Sequence, residues 1–273
     1  MSELPVATTS RRTTGTPAVL EARGVSKTFT TRRGAVTAVQ TLDFSLDPTS
    51  AVGIIGESGS GKSTLSRMLV GFEAPSTGRV YFNGTDVQAM LRTPGGRREF
   101  RAAVQYVAQD TSSSFDPRRT LGDAVATPLR LLRGITGTAA RERMAEVAAE
   151  LRLNPDFYER RPAQVSGGQR QRFALARALV VRPRILLCDE VVSALDVSVQ
   201  GAVLNLVKEY VEEHDIGLAF VSHGLPATAF IADELMIMRH GQVVERGRTG
   251  QVVTDPQAAY TRDLLDAYRA TGA

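Results

Sequence analysis

Nine consecutive residues have the types and spacing for phosphate chemistry. Gly56-Glu57-Ser58-Gly59-Ser60-Gly61-Lys62-Ser63-Thr64 follows the pattern G-x-x-x-x-G-K-[ST]. Gly56, Gly59 and Gly61 let the backbone take positive φ and approach a ligand closely. The N–H groups of the loop are expected to point inward, joined by the positive end of the helix that follows. Lys62 supplies a mobile cation for β- and γ-phosphates, Ser63 offers a hydroxyl to Mg2+, and Thr64 is placed to bond phosphate. Far downstream, Asp189-Glu190 closes the apolar run Ile185-Leu186-Leu187-Cys188. Asp189 can reach a Mg2+ held by Ser63, directly or through water. Glu190 is the next residue and so points differently, which makes it the candidate for orienting and deprotonating an attacking water. Ser166-Gly167-Gly168-Gln169 precedes a helical run, Arg170 to Val180, and offers a second ring of N–H donors. One phosphate chain needs one cradle. The second is therefore expected to serve an ATP held by another copy or by a partner.

The flanking elements must place these groups. Val52, Ile54 and Ile55 read as a buried strand before the glycine loop, and Leu65, Met68 and Leu69 recur at helical spacing after it. Upstream, Val19 to Val25 and Val36 to Leu46 alternate as strands around an Arg32-Arg33-Gly34 turn. Phe29 lies between them, either as a core or edge aromatic or as a stacking surface for a nucleotide base. Gly78 to Gly84 reads as a strand closed by an Asn-Gly turn. The arginines at 79, 92, 97, 98 and 101 are expected on a solvated face. Val104 to Val107 forms a short strand with Gln109 at its end. From about 110 to 180 the pattern turns helical, with Met144, Val147, Ala148 and Leu151 as one apolar stripe. Val203, Leu206, Val207 and Tyr210 stripe another helix, Leu218 to Val221 is a strand ending at Ser222-His223, and a hairpin turns through His240-Gly241. Gln257 to Tyr268 looks helical. Strands alternating with helices predict an α/β fold. His214 and His240 are expected at the surface.

The totals narrow the class. The chain has 273 residues, of which 42% are hydrophobic and 23% charged, an ordinary globular composition. One cysteine, Cys188, excludes an intramolecular disulfide, fits a reducing compartment and reads as an inert packed thiol. No apolar run approaches the ~18–20 residues that span a bilayer. Arg11-Arg12 is followed by no hydrophobic segment that would make an export signal. Residues 1–17, rich in Ser, Thr, Pro and Arg, read as a disordered tail. The net charge of +4 is scattered and by itself decides nothing about anionic lipid or nucleic acid; no nucleic-acid partner is expected.

The order Gly56–Thr64, Gln109, Val165-Ser166-Gly167-Gly168-Gln169, Asp189-Glu190, Ser193-Ala194-Leu195-Asp196 and His223 resembles the ATP-binding cassette of ABC transporters over nearly the whole chain after the tail. The resemblance implies a P-loop NTPase core with an antiparallel β-subdomain and an inserted α-helical subdomain at about 110–180. It implies ATP and Mg2+ as cofactors, and two cassettes that sandwich two ATP molecules head to tail. Phe29 matches the aromatic that stacks on adenine. Gln109 matches the residue that senses Mg2+ and the attacking water and links to the membrane subunits. Ser166, Gly167, Gly168 and Gln169 match the signature that contacts the ATP of the opposite cassette. Asp196 matches the loop that speaks across the dimer, and His223 the switch histidine at the γ-phosphate.

Finer motifs look like the subfamily serving oligopeptide, dipeptide and nickel importers. These are Ser114-Phe115-Asp116-Pro117-Arg118-Arg119-Thr120-Leu121-Gly122, Asp196-Val197-Ser198-Val199-Gln200 and the end from Asp255-Pro256 through Tyr260-Thr261-Arg262-Asp263-Leu264-Leu265, within an extension at about 248–273. That resemblance implies a peripheral ATPase on the cytoplasmic face of the membrane. Its partners would be transmembrane permease subunits, a second ABC ATPase subunit as homo- or heterodimer and, indirectly, an extracellular solute-binding protein. Some members carry a cysteine-ligated iron–sulfur cluster near the C-terminus; a single cysteine inside a strand rules that out here. The sequence departs from the family at Ser50-Ala51, Val191-Val192 and Gly224, the last where an acid usually follows the switch histidine, so a looser His223 is expected. A soluble ABC-type ATPase of DNA repair or translation fits less well, because the chain has one cassette and no heptad run. A P-loop kinase or GTPase leaves Ser166 to Gln169 without a task.

Overall fold

A computed structural model describes residues 19–31, 34–110, 114–193 and 197–270. The expected tail at 1–17, Arg32-Arg33 of the first turn, and Ala194, Leu195 and Asp196 lie outside the described residues.

The first two strands, β1 (Leu20–Thr31) and β2 (Gly34–Leu46), pair antiparallel. Next come β3 (Ala51–Ile55), helix α1 (Lys62–Leu69), and the strands β4 (Thr77–Phe82) and β5 (Thr85–Asp86). Asn83 and Gly84 join β4 to β5 with φ of 49° and 76°, the geometry an Asn-Gly hairpin turn supplies. Helices α2 (Val87–Arg92) and α3 (Pro94–Ala103) lead to β6 (Val104–Val107). The helical stretch holds α4 (Leu121–Pro128), α5 (Gly137–Glu150) and α6 (Gly167–Leu179), interrupted by short wide or tight turns. Then β7 (Ile185–Asp189), α7 (Val197–Glu213), β8 (Gly217–Ser222), α8 (Leu225–Ile231), β9 (Glu234–Arg239) and β10 (Gln242–Arg248) alternate, and α9 (Thr249–Thr254) and α10 (Ala259–Ala270) follow.

Two sheets result. One has four strands in the order β2-β1-β4-β5; the other has six in the order β10-β9-β3-β8-β7-β6. The inner pairs of the second sheet are parallel and only β10 runs antiparallel. A parallel sheet covered on both faces needs apolar residues at every position, which is why β7, β8 and β9 read as unbroken hydrophobic runs.

The period of two then sorts the side chains. Ile185, Leu187, Ala219, Val221, Met236 and Met238 pack on one face with Leu65 and Met68 of α1 and with the four-stranded sheet. Leu186, Cys188, Leu218, Phe220, Leu235 and Ile237 pack on the other with the residues of α6 and α7. The stripe foreseen on α7 (Val203, Leu206, Val207, Tyr210) is buried there, as are Val147, Ala148 and Leu151 of the α5 stripe. The sheet is thus the wall between two cores. The chemistry-bearing residues sit where its central strands run out.

Candidate functional site

Strand β3 delivers the chain into Gly56, and helix α1 begins at Lys62. Gly59 and Gly61 adopt φ of +81° and +101°, as the loop demands. Gly56 does not take positive φ; its need is steric, because a Cβ there would sit 2.1 Å from the Met238 carbonyl oxygen. A Cβ on Gly61 would sit 2.4 Å from the carbonyl oxygen of Ala38, so β2 backs the loop directly. Not every N–H of the loop turns inward. Glu57 donates to the Tyr260 hydroxyl at 3.3 Å, and Ser60 donates to the Glu57 carbonyl at 3.1 Å. The His240-Gly241 turn braces the loop from the other side: the Gly241 N–H donates to the Ser60 carbonyl at 3.0 Å and the Gln40 N–H to the Gly241 carbonyl at 2.8 Å.

Lys62 is buried. Its Nζ donates to the carbonyls of Gly56 (2.6 Å) and Glu57 (2.8 Å) and reaches Ser60 Oγ at 3.4 Å. Burial pulls the ammonium below the ordinary lysine value, partly opposed by the charges of Glu190, Asp189 and Glu57.

Strand alternation sends Asp189 to the same face as Ile185 and Leu187, which is the face α1 covers. There its Oδ1 accepts from the Ser63 hydroxyl at 3.2 Å and its Oδ2 from the Tyr106 hydroxyl at 2.7 Å. Burial raises the Asp189 carboxyl above the usual range and Glu190 adds to that, while the bonds from Tyr106 and Ser63 work against it. Glu190 leaves the strand with φ of +52°, held by its N–H to the Val221 carbonyl at 2.8 Å. That left-handed conformation is costly for a side chain with a Cβ and turns Glu190 away from Asp189. Its Oε2 accepts from Gln109 Nε2 at 2.7 Å and lies 3.6 Å from His223 Nδ1. Three strand ends, β6, β7 and β8, thereby bring Gln109, Glu190 and His223 to one point. Around Gly224 the backbone is tied: the Tyr268 hydroxyl donates to the His223 carbonyl, and Gly224 itself donates to Ser222 Oγ at 2.9 Å, while the His223 side chain is exposed.

Ser166 caps α6. Its Oγ accepts from the Gln169 N–H at 3.2 Å, and the Gln169 carboxamide oxygen accepts from the Ser166 N–H at 2.9 Å, a reciprocal capping box. Ser166 and Gly167 are exposed, and among the described residues no hydrogen bond joins Ser166–Gln169 to the loop at 56–64. Phe29 stands exposed on β1 opposite Val36, with the Lys27 ammonium 5.0 Å from its ring centre. Two residues along β2 from Val36 lies Ala38, the residue against Gly61.

Other expectations need correction. Arg101 is not on a solvated face: its guanidinium lies 4.4 Å from the centre of the Phe72 ring, and burial lowers its pKa. Arg79, Arg92, Arg97 and Arg98 are exposed as expected, Arg97 and Arg98 also bonding the carbonyls of Leu91 and Leu132. His214 is half-buried, 3.1 Å from Glu150 and tilted on Tyr210, whereas His240 is exposed in its turn. Cys188 is fully buried and its thiol is pushed up by burial, as an inert packed group requires.

These residues fit a nucleotide with a divalent ion. Lys62 is a desolvated cation satisfied by carbonyls it can exchange for phosphate oxygens. Ser63 and Asp189 present two hard oxygens side by side. Among the described residues no three His, Cys, Asp or Glu side chains form a ready-made cage. The ion would thus rely on this hydroxyl, this carboxylate, water and the phosphates themselves. Three tyrosines escaped sequence reasoning: Tyr106, Tyr260 and Tyr268. For Tyr106 a signal existed, its parity with Val104 on the α1 face of the sheet.

The ABC transporter family description matches residues 39–193. The chain is 36% identical over 255 residues to the di/tripeptide transport ATP-binding protein DppF of Pseudomonas aeruginosa, covering 91% of this chain and 78% of the relative. It is 37% identical over 256 residues to the glutathione import ATP-binding protein GsiA of Escherichia coli, of which it spans 41%. Among solved structures it superposes, with a TM-score of 0.77 and 28% identity, on a dimeric ATP-binding cassette in a post-hydrolysis state bound to ADP and Pi, covering 84% of this chain and 98% of that one. Among the described residues no helix is long and apolar enough to cross a membrane. With its glycine loop, strand-end acids and two-sheet architecture matched in this way, the chain belongs to the ABC transporter family, of which it forms an ATP-binding cassette.

Proposed function

We propose that the chain is the ATP-driven motor subunit of an importer for short peptides or a related small solute, nickel included. It would be seated on the cytoplasmic face of the membrane against permease subunits, with an extracellular solute-binding protein delivering cargo to them. Helices α4 to α6 are read as the subdomain that carries the signature, and α9 and α10 as the extension shared with peptide importers. Two relatives named for di/tripeptide transport and for glutathione import support the cargo class.

The observation that carries the reading is a contrast within one chain. Gln109, Glu190 and His223 converge beside Ser63 and Asp189, while Ser166–Gln169 caps its own helix and faces solvent. In the proposed cycle Lys62 and the N–H groups of Gly59 and of Gly61 to Thr64 hold the phosphates of ATP, the Ser60 N–H being spent on the Glu57 carbonyl. Ser63 and Asp189 hold Mg2+, which supplies charge neutralisation when bound. Glu190 takes a proton from the attacking water, Gln109 orients the pair, and His223 contacts the γ-phosphate. Phe29 stacks on adenine. Ser166, Gly167, Gly168 and Gln169 close on the ATP of a second cassette, and Asp196 contacts that cassette across the dimer. Closure and release shift two populations of the pair, and the permeases follow.

The test is reconstitution. The chain co-purifies with polytopic permease subunits, and vesicles holding the complex take up di- or tripeptide only with ATP inside the cytoplasmic compartment. A strictly monomeric preparation that turns over ATP at the full rate of the complex, with Ser166 and Gly168 freely replaceable, overturns it.

A further inference from the structure

Asp189 is tied at both oxygens. Ser63 on α1 donates to Oδ1, and Tyr106 on β6 donates to Oδ2 at 2.7 Å. A carboxylate turns easily about its terminal torsion, so its own rotamer does not decide which oxygen faces Ser63. The Tyr106 bond removes that freedom. Tyr106 comes from the neighbouring strand, where its register partner is Leu187, two positions before Asp189 on the same face. Its ring is fixed in turn. It stands edge-on to Phe72 at 5.6 Å and 86°, and with Phe72, Leu131 and Arg101 it lines a cavity of about 300 Å³. Arg67 of α1 acts on both Tyr106 and Asp189.

We propose that Tyr106 is a positioning residue for the Mg2+ site. Its hydroxyl, clamped through a ring packed on Phe72, holds the Asp189 carboxylate in the orientation that leaves one oxygen beside Ser63 for the ion. This rests on the assignment of Ser63 and Asp189 to Mg2+ made above. Partners that orient a ligating group govern metal affinity rather than chemistry itself. The expected signature of losing Tyr106 is therefore a changed Mg2+ requirement, with metal-free nucleotide binding unchanged.

The experiment titrates Mg2+ into the full-length chain with a fluorescent ADP analogue and, separately, measures binding of the analogue in EDTA. Tyr106→Phe keeps the ring and removes the hydroxyl. It is expected to raise the half-saturating Mg2+ concentration roughly tenfold, the scale of one hydrogen bond to a charged group, and to leave binding in EDTA within twofold. Tyr106→Leu, which removes the ring as well, is expected to show at least the same shift. A shift in Tyr106→Leu alone, with Tyr106→Phe like the wild type, makes the ring a packing element only and overturns the proposal. Ser63→Ala and Asp189→Asn distinguish the two levels of failure. If they shift the Mg2+ requirement and Tyr106→Phe does not, the role of Tyr106 falls and the metal assignment stands. If neither of them shifts it, the metal assignment falls and this inference with it.

Discussion

Two ends of the molecule offer N–H donors to an anion, one at Gly59–Thr64 and one at Ser166–Gln169, and they differ in what surrounds them. The first lies where a six-stranded sheet ends and is braced by β2, by the His240-Gly241 turn and by Tyr260. A buried lysine stands in it, and Asp189 and Glu190 at the end of β7 face that lysine. Among the described residues no cation and no acid is bonded to the second; its polar groups satisfy one another through the capping box. A helix start that caps itself is stable alone. What it offers a ligand is the field of α6 and a hydroxyl already half spent. On the proposed reading, the contrast teaches that one chain carries a nearly complete catalytic half and a recognition half that needs something brought to it.

The strongest way to break this contrast is Glu190→Gln. Removing the proposed base while keeping shape and the Gln109 contact should lower ATP turnover by about 10²–10⁴-fold, the usual worth of a general base. ATP binding should persist, and ATP-loaded protein should run as a dimer in size exclusion. Turnover within a few-fold of wild type would move the base elsewhere. Lys62→Ala comes next. It removes the charge-assisted bonds to phosphate, so nucleotide affinity measured by calorimetry should fall by about 10–100-fold. Unchanged affinity would count against the loop.

Ser166→Ala tests the other end, and its two effects can be separated. Loss of the cap costs about 1 kcal/mol, which for a chain this long lowers Tm by about 2–4 °C. If Ser166 serves only its own helix, nothing else changes. If it completes a second cassette's site, steady-state turnover falls about tenfold while ATP affinity of the monomer stays put. Mixing Ser166→Ala with Lys62→Ala protein would then restore one whole site in each mixed dimer, since both damaged halves fall in the other site.

Much of the catalytic half was legible because its signals are local. Glycine spacing, a β-branched strand before the loop and four apolar residues before Asp189 are each readable within a dozen positions. Strand parity even foretold that Asp189 and Glu190 diverge. What stayed illegible crosses the sequence. Tyr260 meets Glu57 and Tyr268 meets His223, although each pair is far apart along the chain. Arg101 looked like one more surface cation in an arginine-rich stretch; only folding places Phe72 under it. Gly224 suggested a slack histidine, and the Tyr268 hydroxyl that ties the His223 carbonyl comes from 45 residues further along the chain. In the helical stretch the α5 stripe was visible. The Arg143 guanidinium was not: it bonds the carbonyls of Leu179 and Val180 and the Tyr210 hydroxyl, tying three helices. Such a buried cation has no sequence pattern of its own.

The smallest effect concerns the brace that the catalytic half has and the signature half lacks. Helix α10 carries Tyr260 and Tyr268, and Glu245 of β10 fixes its approach by accepting the N–H groups of Gln257 (2.8 Å) and Ala258 (3.1 Å). Partial burial opposes the Glu245 charge. The Thr261 hydroxyl nearby, the two N–H groups and the Arg262 charge outweigh that, so the carboxyl lies below its ordinary value. A carboxylate depressed in the folded state contributes stability above its unfolded value, near 4.3, and loses that contribution as pH falls through the folded value. Glu245 is largely solvated, so screening holds the effect below about 1 kcal/mol. Glu245→Gln should therefore melt slightly lower than wild type at pH 6, and the gap should narrow progressively as the pH falls below the unfolded value near 4.3. If α10 braces the loop, the same variant should lose about two- to threefold in nucleotide affinity at pH 6, on the scale of a few tenths of a kcal/mol, and show hydrogen exchange in Ala259–Ala270 faster than wild type. A melting gap that stays equal as the pH falls would show that the charge of Glu245 is not what holds the helix against the nucleotide end of the sheet.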